Sequence, residues 1–77
     1  MDGNFNGRGV YIGAGGDRYE GEFRDGKKYG SGIFKFANGN ECEGNWRENK
    51  LVETGEGLVN GKIKLCYMKG KRILFAN

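Results

Sequence analysis

Apolar and polar side chains alternate with a period of two along most of this chain. In Tyr19-Glu20-Gly21-Glu22-Phe23 the aromatics and the glycine fall on one side and both glutamates on the other, as in a strand with one solvated face. Gly30-Ser31-Gly32-Ile33-Phe34-Lys35-Phe36 repeats the arrangement. Asp25-Gly26 separates the two runs and Asn38-Gly39 follows the second; both dipeptides favour the positive-φ residues of tight hairpin turns. No window of eleven or more residues keeps apolar side chains at i, i+3, i+4 and i+7 without interruption, so helix signals are absent. The pattern predicts seven short strands, over 9–12, 18–23, 32–36, 41–46, 56–59, 63–68 and 72–75. With loops this short, the expected fold is all-β: an open, twisted antiparallel meander of repeated hairpins with no helices.

A second regularity lies over the first. Gly7-x-Gly9 recurs as Gly30-x-Gly32, Gly16 as Gly39, and Tyr19-Glu20-Gly21 as Cys42-Glu43-Gly44, each 23 positions later. A fixed period in this range marks one supersecondary unit stacked repeatedly, an architecture that makes surfaces for partners more often than catalytic clefts. One domain, 1–77, then divides into a partial unit over 4–17, a full unit over 18–40, a degenerate unit over 41–64 and a C-terminal cap with a basic edge over 65–77. Gly21, Gly26, Gly30, Gly32, Gly39, Gly44, Gly55 and Gly57 are the expected turn and sheet glycines. Bare backbone at Gly21 and Gly32 allows a ring such as Tyr19, Phe23 or Phe34 to lie across it. From Gly30 to Gly55 the interval is 25 residues, which predicts a longer hairpin loop over 49–54, with Asn49 in place of the turn glycine. An unclosed meander also leaves its first and last strands available to pair with another chain.

Composition narrows the chemistry. Sixteen glycines without proline, beside 13% aromatic residues, exclude collagen and argue against simple disorder. At 77 residues the core is thin. The net charge of +3 conceals a division: residues 1–56 carry eight basic and ten acidic side chains, whereas 57–77 carry five basic and none acidic. Two cysteines, Cys42 and Cys66, are too few for the disulfide framework of a small secreted domain. A reducing compartment is the expectation, and no signal region or membrane-length apolar run points to secretion or insertion.

Catalytic and metal readings find no footing. The chain has no histidine, one serine (Ser31) and one threonine (Thr54), so neither a zinc site nor a nucleophile with an imidazole base can be assembled. Glu20 with Glu22, and Glu41 with Glu43, read as solvated charges on a strand face. Gly21-x-x-x-x-Gly26-Lys27 resembles the start of a phosphate loop, but Lys28 stands where a Ser or Thr must ligate magnesium. The chain is expected to be no enzyme and to need no cofactor, metal or small-molecule substrate.

Tyr19-Glu20-Gly21-Glu22-Phe23, Gly26, Gly30-Ser31-Gly32, Phe34 and Asn38-Gly39 together resemble the MORN repeat (membrane occupation and recognition nexus). Cys42-Glu43-Gly44-Asn45-Trp46 is a weaker copy, with cysteine at the tyrosine position. The resemblance implies a non-catalytic interaction module: a scaffold or adaptor in a larger protein assembly, with a cytoskeletal or ciliary setting such as an axonemal radial spoke.

Two sets of residues are candidates for contact. An aromatic stripe of Tyr19, Phe23, Phe34, Phe36, Trp46 and Tyr67 serves as sheet packing or, beyond that, as a protein-binding surface, with Trp46 the foremost contact candidate. The basic end, Lys62, Lys64, Lys69, Lys71 and Arg72, is a protected edge or a site for anionic lipid or an acidic partner. Lys28-Tyr29-Gly30-Ser31-Gly32-Ile33-Phe34 also mixes cations and aromatics as single-stranded nucleic-acid platforms do, although a small barrel of that kind has no reason to repeat.

Overall fold

A computed structural model describes residues 5–76 and contains seven strands: β1 (Gly7–Ile12), β2 (Arg18–Arg24), β3 (Lys27–Lys35), β4 (Glu41–Arg47), β5 (Lys50–Val59), β6 (Lys62–Lys69) and β7 (Arg72–Ala76). Every pairing is antiparallel between sequence neighbours, giving one sheet in the order β1-β2-β3-β4-β5-β6-β7. The sheet is open. β1 and β7 are its two edges, so the closed nucleic-acid barrel considered from the sequence is not formed.

The turns explain the strand order. Asp25-Gly26, Glu48-Asn49 and Asn60-Gly61 each place two successive residues at positive φ (53° and 79°, 50° and 72°, 53° and 77°), the backbone that lets a two-residue hairpin follow the twist of its strands. The expected longer loop over 49–54 is absent. Arg47 pairs with Lys50 directly across Glu48-Asn49, and β5 runs unbroken from Lys50.

The period therefore does not loosen where the glycine spacing suggested. Phe23↔Lys28 and Glu20↔Ile33 in the β2–β3 hairpin recur as Trp46↔Leu51 and Glu43↔Glu56 in the β4–β5 hairpin, 23 residues on. Both hairpins carry a bulge, between Gly21 and Phe23 and, one position earlier in the 23-residue frame, between Glu43 and Asn45. Beside each bulge one residue sits at positive φ, Gly30 (86°) in the first and Glu53 (61°) in the second, and Gly7 (106°) holds the same backbone 23 residues before Gly30. Glu53-Thr54-Gly55, not Gly55-Glu56-Gly57, is thus the counterpart of Gly30-Ser31-Gly32.

One face of the sheet holds the core. Tyr19, Cys42, Trp46, Leu51 and Cys66 are buried there, with Phe23, Phe34, Met68, Ile73 and Phe75 packed against them. The Tyr19 ring lies across Gly21 and Gly32, so close that a Cβ on Gly32 would sit inside it. Its hydroxyl donates to the Glu22 carbonyl at 3.0 Å, and Trp46 Nε1 donates to the Gly32 carbonyl at 3.1 Å. The opposite face carries Glu20 in ion pairs with Arg18 (3.1 Å) and Lys35 (3.5 Å), and ends in exposed Ile63 and Leu65 on β6.

The second unit replaces tyrosine by a covalent tie. Cys42 on β4 and Cys66 on β6 form a disulfide, which runs against the expectation of a reducing compartment. These strands are not neighbours: the bond passes over β5 at Gly55 and Gly57, whose missing side chains leave the room. Both cysteines are fully buried.

Candidate binding groove

The core face is curled, and the curl makes a groove. In a flat sheet β3 and β7 would lie about 19 Å apart, at roughly 4.8 Å per strand. Phe36, just beyond β3, nevertheless meets Phe75 of β7 with ring centroids 5.8 Å apart. A groove of about 400 Å³ follows along this face, with Phe34, Phe36, Trp46, Met68 and Ile73 as its apolar wall. Lys28, Lys71 and Arg72 border it, facing one carboxylate, Asp17, whose Oδ1 already accepts from the Ala37 amide at 2.8 Å.

Most of the aromatic stripe is brought together here. Tyr19 stacks edge-on against Phe23 (5.1 Å) and Trp46 (5.6 Å), and Phe34 contacts Phe36 (4.9 Å) and Trp46 (6.3 Å). Within it, exposure divides the roles. Tyr19 and Trp46 are only 0% and 2% exposed, so they serve as packing, while half-buried Phe34 and Phe36 reach the surface. Tyr67 stands apart: it alternates with buried Cys66 and groove-lining Met68 along β6 and so faces the other side of the sheet.

The basic end does not form one patch. Lys62 and Lys69 sit at opposite ends of β6, about 23 Å apart at roughly 3.3 Å per residue. Lys71 and Arg72 join the groove, and Lys64 is half-buried and already engaged.

Lys28 belongs to neither the aromatic stripe nor the basic end, yet the repeat carries a signal for it. Phe5, Lys28 and Leu51 are spaced by 23, and the Phe5 and Lys28 carbonyls accept equivalent hydrogen bonds, from the Gly26 amide (2.9 Å) and the Asn49 amide (3.1 Å). The outer two are apolar: Phe5 packs on Phe23 at 5.1 Å, and Leu51 is buried. Lys28 sits between them in the series, with Nζ 5.5 Å from the Tyr19 ring centre and 5.7 Å from that of Phe34. Burial lowers its pKa from the ordinary lysine value.

Burial raises the Tyr19 pKa to about 12, with the Glu22 charge adding to the shift. The folded pKa lies above the unfolded one, so the Tyr19 contribution is fully present below pH 10 and lost as pH rises through about 12. Thermal melts are expected to fall across that window by up to about 2 kcal/mol in stability. Tyr19→Phe flattens the fall; an unaltered alkaline limb in that variant would show that the tyrosine is not its source.

A tandem array of hairpins in one open sheet, with its rings gathered on one face and no cluster of potential metal ligands among the described residues, defines a repeat interaction domain. The profile of the MORN repeat family matches residues 1–18, 19–41 and 42–55, and the chain belongs to that family. These repeats are non-enzymatic and mediate protein or membrane interactions. The matched residues end within β5, while β6 and β7 extend the same sheet beyond them. No curated protein matches the chain. No helix among the described residues is long and apolar enough to cross a membrane.

Proposed function

We propose that this chain is a non-catalytic scaffold or adaptor that binds a protein partner through the grooved face of its sheet, as a small component of a cytoskeletal or ciliary assembly. The observation that carries the binding mode is the groove itself: half-buried rings and aliphatics, curled into reach of one another and bordered by cations. Such a surface gains by being covered, because each apolar group removed from water contributes about 25 cal/mol per Å². For the assembly, family membership is the sole support. A membrane-apposed role has less support, since the five C-terminal cations are spread over both ends of β6 and the turn beyond it.

Affinity purification of the tagged chain from its own cell, followed by mass spectrometry, tests this reading. Phe36→Ser is expected to lose the partner that the unaltered chain retains, whereas Ile63→Ser with Leu65→Ser, on the other face, keeps it. The reverse pattern, in variants that melt cooperatively, would place the interaction on the wrong side of the sheet. Axonemal or cytoskeletal proteins in the retained set support the setting, and lipid-bound or ribonucleoprotein sets count against it.

A further inference from the structure

Lys28 breaks the rule of its own repeat. The residues 23 before and 23 after it are a phenylalanine and a leucine, and the leucine is buried against the backbone at Gly44. An apolar residue at Lys28 would satisfy the same position at no cost in desolvation. The lysine instead holds its ammonium over two rings, and no ion pair to it is formed among the described residues. A residue that breaks a local pattern with only ring contacts, and no anionic partner, to offset its burial is where function is to be sought.

The surroundings say which ligand would compensate. Lys71 and Arg72 come from the β6–β7 turn and the start of β7, far along the sheet from Lys28, yet the curl brings all three to the margin of one groove. Asp17 is the sole carboxylate there among the described residues, and its Oδ1 is already engaged. Between the cations lie Phe36, Trp46 and Ile73, an apolar bed large enough for a side chain of a partner. We propose that this groove takes an acidic–apolar peptide segment of a partner protein, seating an apolar side chain on Phe36 and Ile73 while its flanking carboxylates pair with Lys28, Lys71 and Arg72. The proposal rests on the grooved face being the partner surface, and it adds the chemistry that the partner must carry. A carboxylate at Lys28 receives a charge-assisted hydrogen bond from a group already partly stripped of water, so little further desolvation opposes the contact.

The test uses the full chain and two synthetic peptides, one centred on Asp-Glu-Phe-Asp-Leu-Glu and one in which every acid is replaced by its amide. Amide chemical shifts report where each binds. The acidic peptide is expected to shift the amides of Lys28, Phe36 and Ile73 and to bind on the order of tenfold more tightly than its neutral analogue. Lys28→Leu is expected to reduce that advantage, Lys71 and Arg72 holding the remainder, while melting at a higher temperature than the parent, and Lys28→Arg to keep it in full. Loss of binding by unfolding would instead lower the melting temperature, so the two cannot be confused. Equal affinity of the two peptides, or an acidic preference unchanged in Lys28→Leu, overturns the inference while leaving the grooved face as the partner surface. Shifts confined to other faces overturn it as well, and the Phe36→Ser purification then decides the broader reading separately.

Discussion

Reducing the Cys42–Cys66 disulfide is expected to lower the unfolding free energy by about 3–4 kcal/mol and the melting temperature by roughly 15–25 °C. The bond closes a sequence separation of 24 residues, and in the chain-entropy account a loop of that size restricts the unfolded state by this amount. The fold adds a second reason. In the first unit the Tyr19 ring covers the bare backbone of Gly21 and Gly32; in the second, the cysteine at the tyrosine position covers Gly55 and Gly57 only together with Cys66. Cys42→Ser with Cys66→Ser should match the reduced protein, and a melt indifferent to reductant would mean that the pair contributes nothing to the sheet. The same bond bears on the proposed setting, because disulfides persist chiefly in oxidising compartments. Alkylation of the chain under denaturing, non-reducing conditions, directly on extraction from its own cell, reports by mass whether the two thiols are bridged there.

Gly21→Ala is expected to cost about 3 kcal/mol or more, the upper end of what overpacking does. A Cβ at this position would stand 2.5 Å from both the Gly32 Cα and the Ser31 carbonyl oxygen. Neither is the end of a flexible side chain, so relief requires β2 and β3 to separate at the place where Tyr19 crosses them. Gly13→Ala is the control: the nearest atom to its Cβ is the Asp17 carbonyl oxygen at 3.8 Å, and urea unfolding should find it within about 0.5 kcal/mol of the parent. Similar midpoints for the two variants would show that β2 and β3 do not approach as closely as described.

The alternation of Tyr19 to Phe23 and of Gly30 to Phe36, with Asp-Gly and Asn-Gly between them, made the hairpin meander legible in the sequence, because side-chain period and turn chemistry are local properties. The start of β5 was not legible. Glu53 takes the positive φ that Gly30 and Gly7 supply in the earlier units, and a glutamate gives no hint of that backbone, so matching glycine to glycine shifted the frame by two residues. The disulfide was hidden for a different reason: it joins strands with a third between them, and only the register shows that Gly55 and Gly57 clear its path. The groove was half visible. Its rings follow from periodicity, whereas Met68, Ile73, Lys71 and Arg72 reach it through the curl of the whole sheet, which no local pattern specifies. Lys28 could have been found by reading the period through positions that do not match.

Hydroxyl-radical footprinting of the chain, alone and bound to the partner recovered with it, tests the central claim most directly. If the curled aromatic face is the binding surface, Phe36, Met68 and Ile73 lose reactivity in the complex, while Val10, Ile63 and Leu65, on the other face, remain as reactive as in the free chain. Protection of Ile63 and Leu65 with Phe36 and Met68 unchanged would contradict the account.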